Sequence, residues 1–212
     1  MIVEPVTMAT DYVLAIANAY FGWHLLRVSG RPAKFWSSGF LALSAAAAAG
    51  GSYHGMRAAL DPGIVAVLWQ TAEFAIGIGS LCLLLGVAEL YASGRWLTGL
   101  RVLALAKFLV YMVSIAGSDE YVFAIYDSGV TVAVSIAIAL VALRLWHHPS
   151  TGWLLAGYGV SILAAFVQLS GLRLSEHFNH NDLYHLIQLI AMTLLFRAGL
   201  DFGEAMKRPR RP

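Results

Sequence analysis

The sequence predicts an all-α, polytopic membrane protein of seven transmembrane helices, with its N-terminus outside and its C-terminus inside. Composition is the first reason. Hydrophobic residues make up 59% of the 212, charged residues 12%, and the mean hydropathy is +0.70. A soluble domain carries about 25% charged residues, and one core of this size cannot hide so much apolar surface. The second reason is spacing: the apolar residues fall into stretches of the roughly 20 residues a bilayer crossing needs. The third is that Lys and Arg gather at alternate breaks, as they do on the cytoplasmic side of membrane proteins.

The spans read as about 9–27, 35–57, 63–92, 96–117, 120–147, 152–173 and 180–199. No basic start, short apolar core and small-residue cleavage site precede the first, so it is expected to be retained and to insert the protein. Ser29-Gly30-Arg31-Pro32 ends it. The second is rich in small residues from Ser44 to Ser52, which lets neighbouring backbones approach closely. Asp61-Pro62-Gly63 opens the third, Ser93-Gly94 the fourth, Gly117-Ser118-Asp119 the fifth and His148-Pro149-Ser150 the sixth. The third and fifth are long and are expected to tilt or to extend beyond the bilayer. No break is long enough to separate two domains, so residues 1–212 form one domain, with 200–212 a basic cytoplasmic tail. Cys82 lies alone in an apolar run, which excludes a disulfide framework and a CxxC site.

Orientation follows from the cations. Arg27, Arg31, Lys34, Arg95, Arg144 and the tail residues Lys207, Arg208, Arg210 and Arg211 share one side, with Arg101 just inside a span. The other side has Arg57 and Arg173, and gathers Glu4, Asp11, Asp61, Asp119, Glu120, Glu176 and Asp182. An inside tail with an outside N-terminus requires an odd number of spans. Trp23, Trp36, Trp69, Trp96, Trp146 and Trp153 mostly fall near span ends, as interfacial tryptophans do. The localisation expected is a plasma membrane or bacterial inner membrane.

That topology brings distant residues to one depth. His54 ends the second span, Asp61 opens the third, and Asn179-His180-Asn181-Asp182-Leu183-Tyr184-His185 opens the seventh, all at the outer side. Ionisable groups within a membrane are costly and tend to face a cavity or a partner. At about 100° per residue, Asn181 and His185 sit about 40° apart, and Asp182 and His185 about 60° apart. His180 is about 140° from His185 and joins only if the helix starts late. His54, His185 and Asp182, with His180 as a substitute, would supply two imidazoles and a carboxylate with room for water, an open zinc-type site. Two other roles stand beside this one. Asn179 can cap the last helix with Asp182 in its first turn, and Asp61 before Pro62 is a natural N-cap.

Other polar groups have structural roles in prospect. Glu73 and Lys107 lie near the midplane and are expected to pair. Asp127, two turns into the fifth span, either lines the outer cavity or bonds a hydroxyl such as Ser128 or Thr131. His24, His147 and His148 sit at interfacial positions, and His177 in a solvent-exposed connection.

Seven spans, Tyr53-His54-Gly55, Asp61-Pro62-Gly63-Ile64 and Asn181-Asp182-Leu183-Tyr184-His185 resemble the CREST superfamily, which includes alkaline ceramidases and the progestin and adipoQ receptors. The resemblance implies a seven-helix membrane protein that binds zinc through one histidine of the second helix and an HxxxH pair on the seventh, with an aspartate and a serine beside them. It implies hydrolysis of a lipid amide for the ceramidase branch. Two positions depart from that pattern: Asn181 stands at the first histidine of HxxxH, and Gly50 at the serine. Ser52 is about 200° from His54 and does not replace it.

Two functions follow. One is a zinc-dependent membrane hydrolase of a lipid amide or ester, in which metal-bound hydroxide attacks the carbonyl, the metal stabilises the oxyanion, and Asp61 orients water or acts as the base. The other is a non-catalytic receptor, transporter or binding protein whose acidic outer cavity takes a cation, haem or a lipid-like ligand; facing histidines can ligate haem axially. A retinal protein is disfavoured, because the seventh span has no lysine. Membrane lipids and a lipid-like substrate are the expected partners, and nucleic acid is not.

Overall fold

A computed structural model describes residues 2–118, 120–145, 148–175 and 178–205. The expectations placed on Asp119, Trp146, His147, Glu176, His177 and the tail cations Lys207, Arg208, Arg210 and Arg211 lie outside those residues. The described chain is all-helical. Its seven long helices are α1 (Pro5–Leu25), α2 (Arg31–Met56), α3 (Pro62–Tyr91), α4 (Gly94–Ala116), α5 (Val122–Leu145), α6 (Pro149–Ser170) and α7 (His180–Leu200), followed by a single turn, α8 (Phe202–Ala205). No strand forms among the described residues; Ser175 and Phe178 make an isolated bridge.

Local chemistry sets the boundaries. Prolines occupy the first turn of α1, α2, α3 and α6, where the absent N–H has no intrahelical partner to lose. Asp61 caps α3 by accepting from the Gly63 N–H at 2.8 Å. α2 starts after Gly30 and α6 ends at Gly171, at φ of 104° and 63°, values that a Cβ would strain. Five helices, α3 to α7, are long and apolar enough to cross a membrane. α1 and α2 match them in length, at 21 and 26 residues, but are not among those five.

Six helices close a ring. α1 packs on α2, α2 on α3, α3 on α5, α5 on α6, α6 on α7, and α7 returns to α1. α4 stands outside, against α3 and α5, and turns Val102, Leu109, Val110 and Val113 outward. Lipid tails are as apolar as leucine, so helices in a bilayer associate through close packing rather than through release from water. Small residues supply it here. A Cβ on Gly51 would lie 2.9 Å from the Asp11 Cβ, and one on Gly86 2.1 Å from Trp36 Cδ1. Near the cytoplasmic ends expected for these helices the ring is filled: Leu25, Trp36, Val87, Leu154, Leu195 and Phe202 are fully buried together, and the Trp36 indole donates to the Leu83 carbonyl at 3.0 Å.

The expected Glu73–Lys107 pair does not form. The Lys107 ammonium pairs instead with the Asp127 carboxylate, and donates to Ser80 Oγ at 3.0 Å and to the Asp127 carbonyl at 3.3 Å. Depth along the helices suited either partner. Azimuth decided: Asp127 lies on the buried stripe of α5 with Ala124, Thr131 and Ser135, facing the crevice that Lys107 enters. Toward the other end, Arg101 pairs with Glu89, with Arg31 at 3.9 Å.

Candidate functional site

The ring encloses a cavity of about 610 Å³, to which all six of its helices contribute and α4 none. Asp11, Leu14 and Asn18 line it from α1, at a spacing of three and four residues that keeps one face of a helix inward. His54 lines it from α2, and Asn181, Tyr184 and His185 from α7. The two histidines singled out from the sequence therefore share one cavity.

His185 is buried between two residues of α1. The Thr10 hydroxyl gives its one proton to the Thr7 carbonyl at 3.0 Å. It therefore accepts from His185 Nδ1–H, also at 3.0 Å. That leaves His185 Nε2 facing Asp11 Oδ1 at 3.2 Å. Two basic atoms so close need a proton between them, so the pair is an imidazole with a carboxylic acid or an imidazolium with a carboxylate. Asp11 Oδ2 is buried with no hydrogen-bond partner. Gly50, across from it, leaves the space open: a Cβ there would lie 3.6 Å from that oxygen.

The other expected residues are placed differently. Both oxygens of Asp182 are taken. One accepts from Thr7 Oγ1 and the other from the Asn179 backbone N–H, each at 2.7 Å. Asn179 and Asp182 form a reciprocal capping box at the start of α7, which satisfies N–H groups that a helix start leaves free. Asn181 Oδ1 accepts from Gln168 Nε2 at 2.8 Å. His180, half-buried, is the first residue of α7 and is not among the cavity-lining residues. Asp61 is exposed at its cap and also lies off the cavity wall. Ser52 Oγ donates to the Ala48 carbonyl at 2.8 Å and so accepts from the Tyr12 hydroxyl at 2.9 Å.

A latch ties the segment before α1 to the end of α2. Glu4, just before α1, meets His54 Nδ1 at 2.5 Å and Arg57 Nη2 at 2.7 Å. The Val3 N–H donates to the Gly55 carbonyl at 3.1 Å. Burial by itself would push the Glu4 carboxyl up, but the hydrogen bonds from Arg57 and His54 outweigh it and hold the group below its ordinary value. The same bond to Glu4 raises Arg57.

As arranged, these donors do not fit the zinc ion that the sequence suggests. Both nitrogens of His185 and both oxygens of Asp182 are already engaged, and an asparagine oxygen is a weak ligand for zinc, which takes Cys, His and carboxylates. Among the described residues, no three His, Cys, Asp or Glu side chains converge to hold a metal. Two polar residues of the cavity wall, Asp11 and Asn18, and Thr10, which holds His185, are not among the site residues the sequence suggests. The signal was present, since Asp11, Leu14 and Asn18 make one helical stripe. By charge alone, Asp11 groups with the acidic residues of one side.

Neither a curated protein nor a solved structure matches the chain. Residues 6–204 match a family of unknown function, DUF6962, and the chain belongs to that family.

Proposed function

We propose that this is a seven-span membrane protein that binds a lipid-like amphiphile in its central cavity and admits it sideways, between α5 and α6. One observation carries the reading. Gly129 and Ala133 of α5 and Ile162, Phe166 and Leu169 of α6 line the cavity and are exposed rather than packed, so the wall between these two helices is open. A cavity with an apolar mouth on a lipid-facing wall suits a ligand that arrives from the bilayer. Its volume falls within the range of about 300–1,000 Å³ usual for small-molecule sites.

Passage of all seven helices across the membrane is part of this proposal. The ring supports it, because α1 and α2 are integral to the wall and, at about 1.5 Å per residue, long enough to cross. Their polar residues turn inward: Thr7, Asp11, Asn18 and Ser37 are buried. The outside N-terminus and inside C-terminus rest on the distribution of Lys and Arg, and an impermeant reagent that labels a tag after Pro212 in intact cells would refute them.

The mouth is tested at Gly129, where an added Cβ meets nothing within 4 Å. Gly129→Phe should fold, obstruct the mouth and abolish uptake of a brominated fatty chain, read as loss of Trp69 quenching. Uptake equal to the parent's would overturn the lateral route.

Hydrolysis of a lipid amide or ester is a second reading, and one observation favours it. Asp11 Oδ2, unpartnered at the cavity wall, can take a proton from water, as a general base does, while the proton shared at Oδ1 stays with His185 Nε2. Turnover of such a substrate, lost in His185→Gln, is the test; no turnover across amides and esters with long acyl chains leaves the binding reading alone.

A further inference from the structure

The cavity reading above leaves open what head the amphiphile carries, and the wall bears on it. We infer that the ligand is a long-chain amphiphile with a protonated amine head, seated against Asp11. Asp11 Oδ2 is a buried acceptor on the cavity wall with no partner; Asn18 Oδ1 is another, but about 10 Å further along α1 and beyond the reach of the same head. A buried acceptor without a donor costs free energy, and an ammonium offers three donors. Trp69 Nε1 is an unpartnered donor at the same wall, but it is uncharged, so the carboxylate decides the sign.

The surroundings agree on that sign. Two basic side chains of the outer end, His54 and Arg57, are engaged by Glu4. Asp11 shares one proton with His185 and so accepts one positive charge; an ammonium between Asp11 Oδ2 and His185 Nε2 can stand in for that proton. A carboxylate head has no positive charge to replace the shared proton, and would add a third carboxyl group beside Asp11 and Asp182. Trp69, Tyr121 and Tyr184 also line the cavity, and aromatic faces attract cations and repel anions. Below the head, Leu14, Leu43 and Met192 continue an apolar wall for the chain.

The experiment is native mass spectrometry of the full chain released from lipid nanodiscs, with hexadecylamine, hexadecanoic acid and hexadecanol supplied at equal concentration. One amine per chain should be retained at least tenfold over the acid and the alcohol. Asp11→Asn should lose that preference. Gly50→Ser should weaken amine retention at least tenfold while keeping the carboxylate, because a hydroxyl placed there can donate to Asp11 Oδ2; it keeps the test decisive if Asp11→Asn fails to fold. Equal or better retention of the acid or alcohol, or amine retention unchanged in both variants, overturns the amine head while leaving the cavity reading in place, provided Gly129→Phe excludes all three. Retention of none, or retention indifferent to Gly129→Phe, sinks both.

Discussion

Lys107→Met should be among the most damaging single changes in the bundle. The Lys107 and Asp127 side chains are 7% and 2% exposed. All three protons of the ammonium are placed, on the Asp127 carboxylate, the Asp127 carbonyl and Ser80 Oγ. Methionine fills a similar volume but leaves the carboxylate buried and unpaired, and removing one partner of a buried pair costs about 3–5 kcal/mol. At about 1.4 kcal/mol per decade, that is a hundredfold to several thousandfold in the unfolding equilibrium. Replacing both charges is far milder, because a buried pair exchanged for neutral groups is often close to neutral. Lys107→Met with Asp127→Asn should therefore recover most of the loss, giving a coupling of at least about 2 kcal/mol. The assay is reversible unfolding in mixed micelles titrated with SDS, followed by tryptophan fluorescence, around a four-member cycle. Glu73→Gln supplies the control and should not rescue Lys107→Met. A cost below about 1 kcal/mol for Lys107→Met, out of line with a broken buried pair, would refute this account. So would a better rescue by Glu73→Gln than by Asp127→Asn.

Glu4 should stabilise the folded protein in a pH-dependent way. Its carboxyl is held below the ordinary value, so its contribution is present above the unfolded pKa and is lost as pH falls through the folded one. Stability should drop more steeply on acidification in the parent than in Glu4→Gln, and parallel curves would dismiss the latch. The caps should matter by about 1 kcal/mol each. Asn179→Ala and Asp61→Ala should both lower stability by that order, and Asp61→Ala should leave amphiphile binding intact; a loss of binding would move Asp61 back into the site. Close packing should discriminate among glycines. Gly86→Leu should prevent folding, because the Trp36 ring already stands 2.1 Å from a Cβ there, whereas Gly99→Leu meets nothing within 4 Å and should fold like the parent; equal expression of the two would argue against the α2–α3 contact.

The sequence by itself determined the class, the number of long helices and most of their ends, although α1, α2 and α6 begin about a turn before the apolar runs do, beside their prolines. Those properties are local. Apolar runs near the bilayer length, prolines in first turns, and Gly30 and Gly171 at positive φ each act within a few residues. Depth was also readable, because a helix advances at a fixed rise, and depth brought His54 and His185 to the same cavity. What one helix presents to another was not readable, because that is a matter of azimuth and of which helices are neighbours. The tertiary structure alone excluded α4 from the ring, sent Lys107 to Asp127 rather than Glu73, and brought α1 against α7 so that Thr10 and Asp11 clasp His185. It also decided how Asp182 is used. A carboxylate in the first turn of a helix suits a metal site and a cap equally well in sequence, and Thr7 and the Asn179 N–H, by taking both its oxygens, made it a cap.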